Sequence, residues 1–130
     1  MLFHVSPNGL IGETGEQASL ESLLTYGNFS VLLTGDSQTE ELTQALNYIN
    51  SKIDVLQAPH HGSKTGLNQE LLGVLRPKLA VISVGKDNKY GHPNPFTLDL
   101  LKSFNIKTLR TDQVGDIEII SDGKSFLVKN

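Results

Sequence analysis

Residues 54–63, Asp-Val-Leu-Gln-Ala-Pro-His-His-Gly-Ser, form a short apolar run that closes on a double histidine. An earlier apolar run closes on an aspartate, in the stretch Leu-Leu-Thr-Gly-Asp at residues 32–36. In an α/β sheet, functional side chains gather in the crevice beyond the carboxyl ends of the strands. An Asp and a His delivered there from neighbouring strands are a metal-ligand pair by residue type, although two ligands alone do not hold a catalytic metal.

Strand and helix patterns alternate along the chain around this stretch. Apolar residues at helical spacing predict helices over about residues 39–50, over 67–75 and from Asn94 to Phe104. Short apolar runs predict strands at residues 20–26, 29–34, 53–58, 79–84, 106–110, 117–120 and 126–129. Such alternation between two hairpins is typical of a layered α/β domain, so we expect a mixed sheet with flanking helices.

Turn and cap signals separate these elements. Gly27-Asn28 fits a two-residue hairpin turn, and Asp122-Gly123 fits a second hairpin near the end of the chain. Ser37 and Glu40 have the spacing of a capping box, which predicts that Ser37 caps the first helix. Asn94-Pro95 is typical of a helix N-terminus.

The composition limits the classes of protein. The 130 residues are the size of one domain, with a loop-rich segment at residues 1–19 and an α/β core at 20–130. A net charge of −3 argues against unaided nucleic-acid binding, but a phosphate substrate held through metal ions remains compatible with it. The chain has no Cys, so disulfides and thiolate metal sites are excluded. It has no apolar run of membrane-spanning length, so we expect it to be soluble as given.

The residues at the strand ends each allow two interpretations. Asp36 is either a metal-bridging carboxylate or a residue that complements the dipole of the following helix. On an extended segment, His60 and His61 would point in opposite directions, so one would ligate a metal and the other would face substrate. The alternative for both is a polar loop with incidental imidazoles. Ser63 and Lys64, directly beyond, could assist with an anionic group.

Two further strand ends carry candidate residues. His92, in the stretch Tyr-Gly-His-Pro, could contact a phosphate or act as a general acid; otherwise it belongs to an ordinary turn before a helix. Arg110 could pair with phosphate, but a solvated strand end is the preferred interpretation. The chain has no phosphate-binding P-loop, dinucleotide fingerprint or nucleophile elbow, which argues against nucleotide-driven and serine-hydrolase chemistry.

The sequences of these motifs, and their order along the chain, resemble those of a known family. The matching blocks are Leu-Leu-Thr-Gly-Asp (32–36), Asp-Val-Leu-Gln-Ala-Pro-His-His-Gly-Ser-Lys (54–64), Ala-Val-Ile-Ser-Val-Gly (80–85), Asn-Lys-Tyr-Gly-His-Pro (88–93) and Arg-Thr-Asp-Gln-Val-Gly (110–115). Together they resemble the metallo-β-lactamase-fold domain at the C-terminus of ComEC-type DNA-uptake competence proteins. The resemblance covers about residues 20–125.

The resemblance implies a specific site. The family fold is an αββα sandwich of two similar halves, with a two-metal hydrolytic site between them that uses zinc or manganese. On the matching positions, Asp36 would bridge the metals and His61, rather than His60, would ligate one of them. His60 and His92 would lie beside the substrate phosphate as catalytic residues. The implied substrate is single-stranded DNA or another phosphodiester.

The family's principal metal motif, H-x-H-x-D-H, is absent, because none of the four histidines lies in such a pattern. The chain therefore resembles only the C-terminal half of the sandwich, as a single partial domain of a larger protein that we expect to be a membrane protein. Alone, it should bind divalent metal weakly or not at all. We expect an uncovered apolar sheet face that pairs with the missing N-terminal half-domain or with a second copy. Two alternatives are a non-catalytic interaction module and a hydrolase of another phosphoester.

Overall fold

A computed structural model describes residues 2–5, 21–49 and 51–129. The loop-rich segment expected over residues 1–19 lies outside these residues except for Leu2–Val5, which form a strand instead. The described strands are β1 (Leu2–Val5), β2 (Glu21–Tyr26), β3 (Phe29–Leu33), β4 (Val55–Gln57), β5 (Leu79–Ile82), β6 (Lys107–Arg110), β7 (Glu118–Ser121) and β8 (Phe126–Lys129). The described α-helices are α1 (Thr39–Ala45), α2 (Gln69–Leu75), α3 (Pro95–Ser103) and the single turn α4 (Thr111–Val114), and a 3₁₀ turn spans Pro59–Gly62.

Strands β1 to β6 form one mixed sheet in sequential order, and β7 and β8 form a separate hairpin. Strands β1, β2 and β3 pair antiparallel, whereas β3, β4, β5 and β6 pair parallel. The mixed α/β architecture predicted from the sequence is therefore confirmed. Because β3 to β6 run in the same direction, their carboxyl ends lie along one edge of the sheet.

One face of the sheet is closed by helices. Leu32, Leu56 and Ala80 are lateral neighbours on adjacent strands, and each is at most 1% exposed. They pack into one core with buried side chains of the flanking helices, including Ala45, Leu72, Leu75 and Leu101. Within the residues that the structure describes, no helix is long and apolar enough to cross a membrane.

The opposite face is covered in part by the β7–β8 hairpin. Phe29, Val55 and Leu79 form a second buried cluster there, and hairpin side chains pack against it. The rings of Phe29 and Phe126 lie 5.5 Å apart between centroids. Towards the carboxyl ends of the strands, the cover is incomplete and leaves an open cavity of about 190 Å³. Its lining includes Val31, Leu33, Gln57, Val81, Ser83 and Ile117.

Helix α1 begins at the predicted residue, but its capping residue and its end differ from the sequence prediction. Ser37 does not cap the helix, because its buried hydroxyl donates to the carboxylate of Glu21 instead. Gln38 occupies the N-cap position, and its backbone N–H donates to Glu41 Oε2 at 3.0 Å. The helix ends at Ala45, and the turn that follows tightens into three-residue hydrogen bonds such as Tyr48 N–H to the Ala45 carbonyl.

Arg110 is not the solvated strand end that the sequence predicted, because its side chain pairs with a carboxylate of the chain itself. Its guanidinium donates two hydrogen bonds to the carboxylate of Asp112, at 3.0 and 2.7 Å. Both side chains are mostly buried, with 23% and 12% exposure. The hydrogen bond from Arg110 holds the pKa of the Asp112 carboxyl below its ordinary value. Between them, Thr111 accepts the Val84 N–H and donates to the Val84 carbonyl, which links the ends of β6 and β5.

We expect Asp112→Asn to destabilise the chain by about 1–3 kcal/mol at neutral pH, because Arg110 loses a charged acceptor. The folded-state pKa of Asp112 is lowered, so its contribution to stability is present above the unfolded pKa of about 3.9 and is lost as pH falls through the folded value. Urea unfolding at neutral and acidic pH should show the gap between parent and variant shrinking below about pH 4. Asp116→Asn, at an exposed position, is the control. An unchanged gap at acidic pH would contradict this assignment.

Candidate functional site

The candidate residues lie in loops that leave three neighbouring parallel strands. Backbone hydrogen bonds tie these loops together: His60 N–H donates to the Gly35 carbonyl at 2.9 Å, and Asn94 N–H donates to the Gly62 carbonyl at 2.9 Å. The loops after β3, β4 and β5 therefore meet at the carboxyl edge of the sheet. This edge holds all four of the predicted site residues, Asp36, His60, His61 and His92.

The double histidine does not lie on an extended segment, and the prediction that its two side chains point in opposite directions was wrong. His60 and His61 both adopt the left-handed region, with φ of 50° and 57°. Two such residues in succession turn the chain sharply after β4, and the two ring centroids lie 6.3 Å apart. Both rings thereby belong to one cluster. Left-handed non-glycine residues are uncommon and concentrate at functional positions.

His61 and Asp36 face each other across the edge. The Nε2 atom of His61 lies 3.8 Å from Oδ1 of Asp36, and both side chains are more than half exposed. The Nδ1 atom of His61 lies 2.7 Å from the Ser83 carbonyl oxygen. Because a carbonyl only accepts, Nδ1 carries the proton, and the lone pair of Nε2 is left free on the side of Asp36. A backbone carbonyl behind the ring is the usual support of a metal-ligating histidine.

The Asp36–His61 pair fits part of a metal site. Two ligands at about 2.1 Å from a tetrahedral metal lie about 3.4 Å from each other, so the observed 3.8 Å requires only a small adjustment. The expectation that these two side chains lie together is confirmed, while their role as ligands stays a prediction. Across residues 2–5, 21–49 and 51–129, no group of three or more His, Asp or Glu side chains could hold one metal.

His60 and His92 lie behind this pair. Their ring centroids are 5.8 Å apart, and His92 lies 6.5 Å from His61. The Nδ1 atoms of His60 and His92 are buried and have no hydrogen-bond partner among the described residues. Burial lowers the pKa of His92, and the positive charges that His60 and His61 carry when protonated lower it further. These two imidazole nitrogens thus have no hydrogen-bond partner in the described part of the chain.

Asn88 holds the loop that carries His92, and it was not among the residues predicted from the sequence. Its side-chain amide donates to the His92 carbonyl at 2.6 Å, and its Oδ1 accepts from the backbone N–H groups of Tyr90 and His92. An Asn that bonds backbone groups two residues ahead is a known turn former, so the stretch Asp-Asn-Lys-Tyr-Gly carried a usable signal. No sequence signal indicates the role of the Ser83 carbonyl, because every residue has a backbone carbonyl.

Glu21 is a second residue that was not predicted. Its carboxylate is fully buried beside the Asp36 loop and accepts from the hydroxyl of Ser37. Burial raises the pKa of Glu21, and the charge of Glu41 raises it further. Its Oε2 atom has no hydrogen-bond partner among the described residues. Glu21 therefore anchors the residue next to Asp36 through a bond between β2 and the loop after β3.

Ser63 does not serve the site in the way that the sequence suggested. The residue is 8% exposed, and its hydroxyl lies 3.2 Å from the Thr65 hydroxyl. Its carbonyl accepts from the Thr97 hydroxyl at 3.0 Å, which ties the loop to α3. Ser63 thus secures the loop, whereas Lys64 beside it is exposed.

No protein-family model matches this chain. Three curated proteins are similar to it over most of its length. ComE operon protein 3 of Bacillus subtilis (strain 168) is 42% identical over 118 residues, which cover 89% of this chain and 15% of that protein. Recombination protein 2 of Haemophilus influenzae is 33% identical over 115 residues, covering 88% of this chain and 14% of that protein.

The third relative, competence protein ComA of Neisseria gonorrhoeae, is 32% identical over 110 residues, which cover 83% of this chain and 16% of that protein. The chain therefore spans about one sixth or less of the length of these relatives. The similarity extends across the strands and loops that build the site, because 89% of the chain is matched in the Bacillus protein.

Gly62 allows a close approach that a side chain would prevent. A Cβ atom at Gly62 would lie 2.6 Å from Pro93 Cβ, and its φ of +80° disfavours other residues. We expect Gly62→Ala to cost more than about 2 kcal/mol, measured by thermal or urea unfolding, because steric overlap adds to a left-handed backbone cost of about 1–2 kcal/mol.

Two glycines serve as controls for this variant. Gly91→Ala carries the backbone cost alone, since its φ is +70° and a Cβ atom at this position would have no other atom within 4 Å. Gly73→Ala, inside α2 with open space around it, should be neutral or stabilise by up to about 1 kcal/mol. Equal losses for Gly62→Ala and Gly91→Ala would show that the contact with Pro93 is unimportant.

The bond from His61 to Ser83 predicts a specific tautomer. Two-bond proton–nitrogen correlation spectra, recorded at a pH where His61 is neutral, should show the proton on Nδ1 and a free lone pair on Nε2. Zinc added in excess should then shift Nε2 of His61 more than Nδ1. A dominant Nε2–H form, bonded to Asp36, would contradict the arrangement described here.

Proposed function

We propose that this chain supplies one half of a metal-dependent phosphodiesterase site in a protein that acts in DNA uptake during competence. The observation that carries the proposal is the free Nε2 lone pair of His61, held by the Ser83 carbonyl and facing the carboxylate of Asp36. The similarity to competence protein ComA and to ComE operon protein 3 supports the biological context. The resemblance of the motifs to the second half of a metallo-β-lactamase fold supports the chemistry.

In this proposal, Asp36 and His61 hold a divalent metal, zinc or manganese. When bound, such a metal lowers the pKa of a water and polarises a phosphodiester. The protein's own contribution is orientation: the Ser83 carbonyl fixes the ring of His61, and Glu21 fixes the loop of Asp36 through Ser37. His60 and His92, whose rings lie within 6.5 Å of His61, form hydrogen bonds with the phosphate oxygens.

The remaining metal ligands come, in this proposal, from another segment of a longer protein. Stable zinc sites use three or four protein ligands, and this edge offers two. The sheet face that the β7–β8 hairpin leaves open reaches this edge, because the cavity is lined by Ser83 as well as by Leu33. A half-domain seated there would place its own side chains beside Asp36 and His61. A second copy of this chain is the alternative occupant, and we expect the longer protein to be a membrane protein.

One observation favours a second candidate function, a non-catalytic interaction module. The described residues contain no group of three His, Asp or Glu side chains placed for a single metal. If no other segment supplies the missing ligands, the loops at this edge keep their conformation but do not hold a catalytic metal. The two candidates differ in whether the full-length gene product hydrolyses a phosphodiester in a metal-dependent way.

The experiment uses the full-length gene product that carries these residues, assayed with a labelled DNA oligonucleotide and manganese or zinc. We expect Asp36→Ala and His61→Ala each to lower hydrolysis by more than about 100-fold, since even the loss of a residue that only supports a metal ligand costs about 10–100-fold. Asp99→Ala, at an exposed position on α3, is the matched control and should retain activity.

Two further outcomes separate the candidates. Activity that survives both Asp36→Ala and His61→Ala, or that is absent from the wild-type protein with either metal, would favour the interaction module. Faster hydrolysis of a phosphorylcholine ester than of DNA would show that the site serves another phosphoester. Circular dichroism of each variant checks that the loss does not come from unfolding.

A further inference from the structure

The loop that carries His92 presents an aromatic ring to solvent. Tyr90 is 84% exposed, more than any other large hydrophobic side chain among the described residues. Its ring lies 5.9 Å from that of His92 between centroids, and the two planes are inclined by only 23°. One side of the tyrosine is therefore stacked beside an imidazole of the candidate site, and the rest of the ring remains open. Such a ring offers a flat apolar surface on which another planar group can stack.

The backbone of the loop that carries Tyr90 is fixed by hydrogen bonds and by packing. Asn88 bonds the backbone of Tyr90 and of His92, as described above. Directly beyond His92, Pro93 packs on Gly62 and Asn94 donates to the Gly62 carbonyl. The loop is thus fixed both at its centre and at its end. A preorganised loop loses little backbone entropy when a ligand stacks on its aromatic ring, so the contact surface contributes more fully to binding.

The same loop carries local positive charge. Lys86 and Lys89 are exposed on either side of Asp87 and Asn88, which gives the segment a formal charge of +1 although the whole chain carries −3. Proteins bind single-stranded nucleic acid by combining basic side chains along the backbone with aromatic rings on which bases stack. The loop offers both groups beside the imidazoles assigned above to a phosphate.

We propose that Tyr90 is a base-stacking residue of this site, on which a base of a bound nucleic-acid strand packs next to the phosphate. The inference rests on the proposed function, because it takes the histidine cluster as the phosphate end of the site. A phosphate at His92 puts the base of the same or the next nucleotide within reach of the adjacent ring. In a duplex each base is stacked on both sides by its neighbours, so a protein ring can stack only on a base of a single strand or on an extruded one.

The absence of Trp from this chain allows a direct test. Tyr90→Trp introduces a single tryptophan at the proposed platform, which can be excited selectively over the remaining tyrosines, and Tyr48→Trp places one at a comparably exposed position, 71% exposed, in the turn after α1. The probes are an unlabelled single-stranded oligonucleotide and an abasic oligonucleotide of the same length and charge. We expect the base-containing probe to quench the fluorescence of the Tyr90→Trp variant and not that of the Tyr48→Trp variant. The abasic probe should quench neither.

Affinity measurements on variants without tryptophan complete the test. Tyr90→Ala should weaken binding of the single-stranded oligonucleotide by about 5- to 150-fold, the loss expected for one base–aromatic stack. Tyr90→Phe should bind within about twofold of the parent, because stacking needs the ring and not the hydroxyl. Tyr48→Ala should leave binding unchanged. Duplex DNA of the same sequence should bind more weakly than the single strand.

The outcomes distinguish this inference from the proposed function. Equal binding of the abasic and base-containing probes, or equal effects of Tyr90→Ala and Tyr48→Ala, would overturn the stacking role. DNA hydrolysis that depends on Asp36 and His61 but not on Tyr90 would overturn it as well and leave the proposed function intact. Base-dependent quenching in the Tyr90→Trp variant, without any metal-dependent hydrolysis by the full-length gene product, would support the stacking site and contradict the phosphodiesterase.

Discussion

Gly62 packs against Pro93 with no space for a side chain between them, and the histidine cluster depends on that contact. The double histidine lies on one side of it, directly after β4, and His92 precedes the proline on the other. The Gly62 carbonyl accepts from Asn94, so the two loops are joined by a hydrogen bond as well as by packing. Any residue larger than glycine would separate the loops and with them the three imidazoles.

The edge of the sheet and its open face are connected through the end of β5. Ser83 lines the open cavity, and its carbonyl accepts the hydrogen bond from His61 that determines which ring nitrogen is free. The helices close one face of the sheet, whereas the β7–β8 hairpin covers only part of the other. A partner that occupies the open face would therefore contact the backbone on which the orientation of His61 depends.

The proposed metal and phosphate contacts would use neutral imidazoles in a chain of net negative charge. Burial lowers the pKa of His92, which favours the uncharged ring beside its two histidine neighbours. Uncharged imidazoles ligate metals and donate single hydrogen bonds, but they supply no general attraction for phosphate. Positive charge in the loops around the site comes from three exposed lysines, Lys64, Lys86 and Lys89. Affinity for a polyanion would therefore depend on these loops and on a bound cation.

Periodicity and turn residues are local properties of a chain, so they were enough to predict most of the strands and helices from residue 20 onward, the two hairpins and the gathering of Asp36 and His61 at one edge. Strand β1 and the single turn α4 were not predicted. Contacts between distant segments could not be predicted in this way. The Ser83 carbonyl behind His61 and the Ser37–Glu21 bond that displaced a predicted helix cap are two such contacts. The His61–Ser83 contact spans 22 residues and uses a backbone atom, so no local pattern encodes it. Such contacts form only once the parallel strands are in register, which is why the sequence could indicate the candidate site residues but not their orientation.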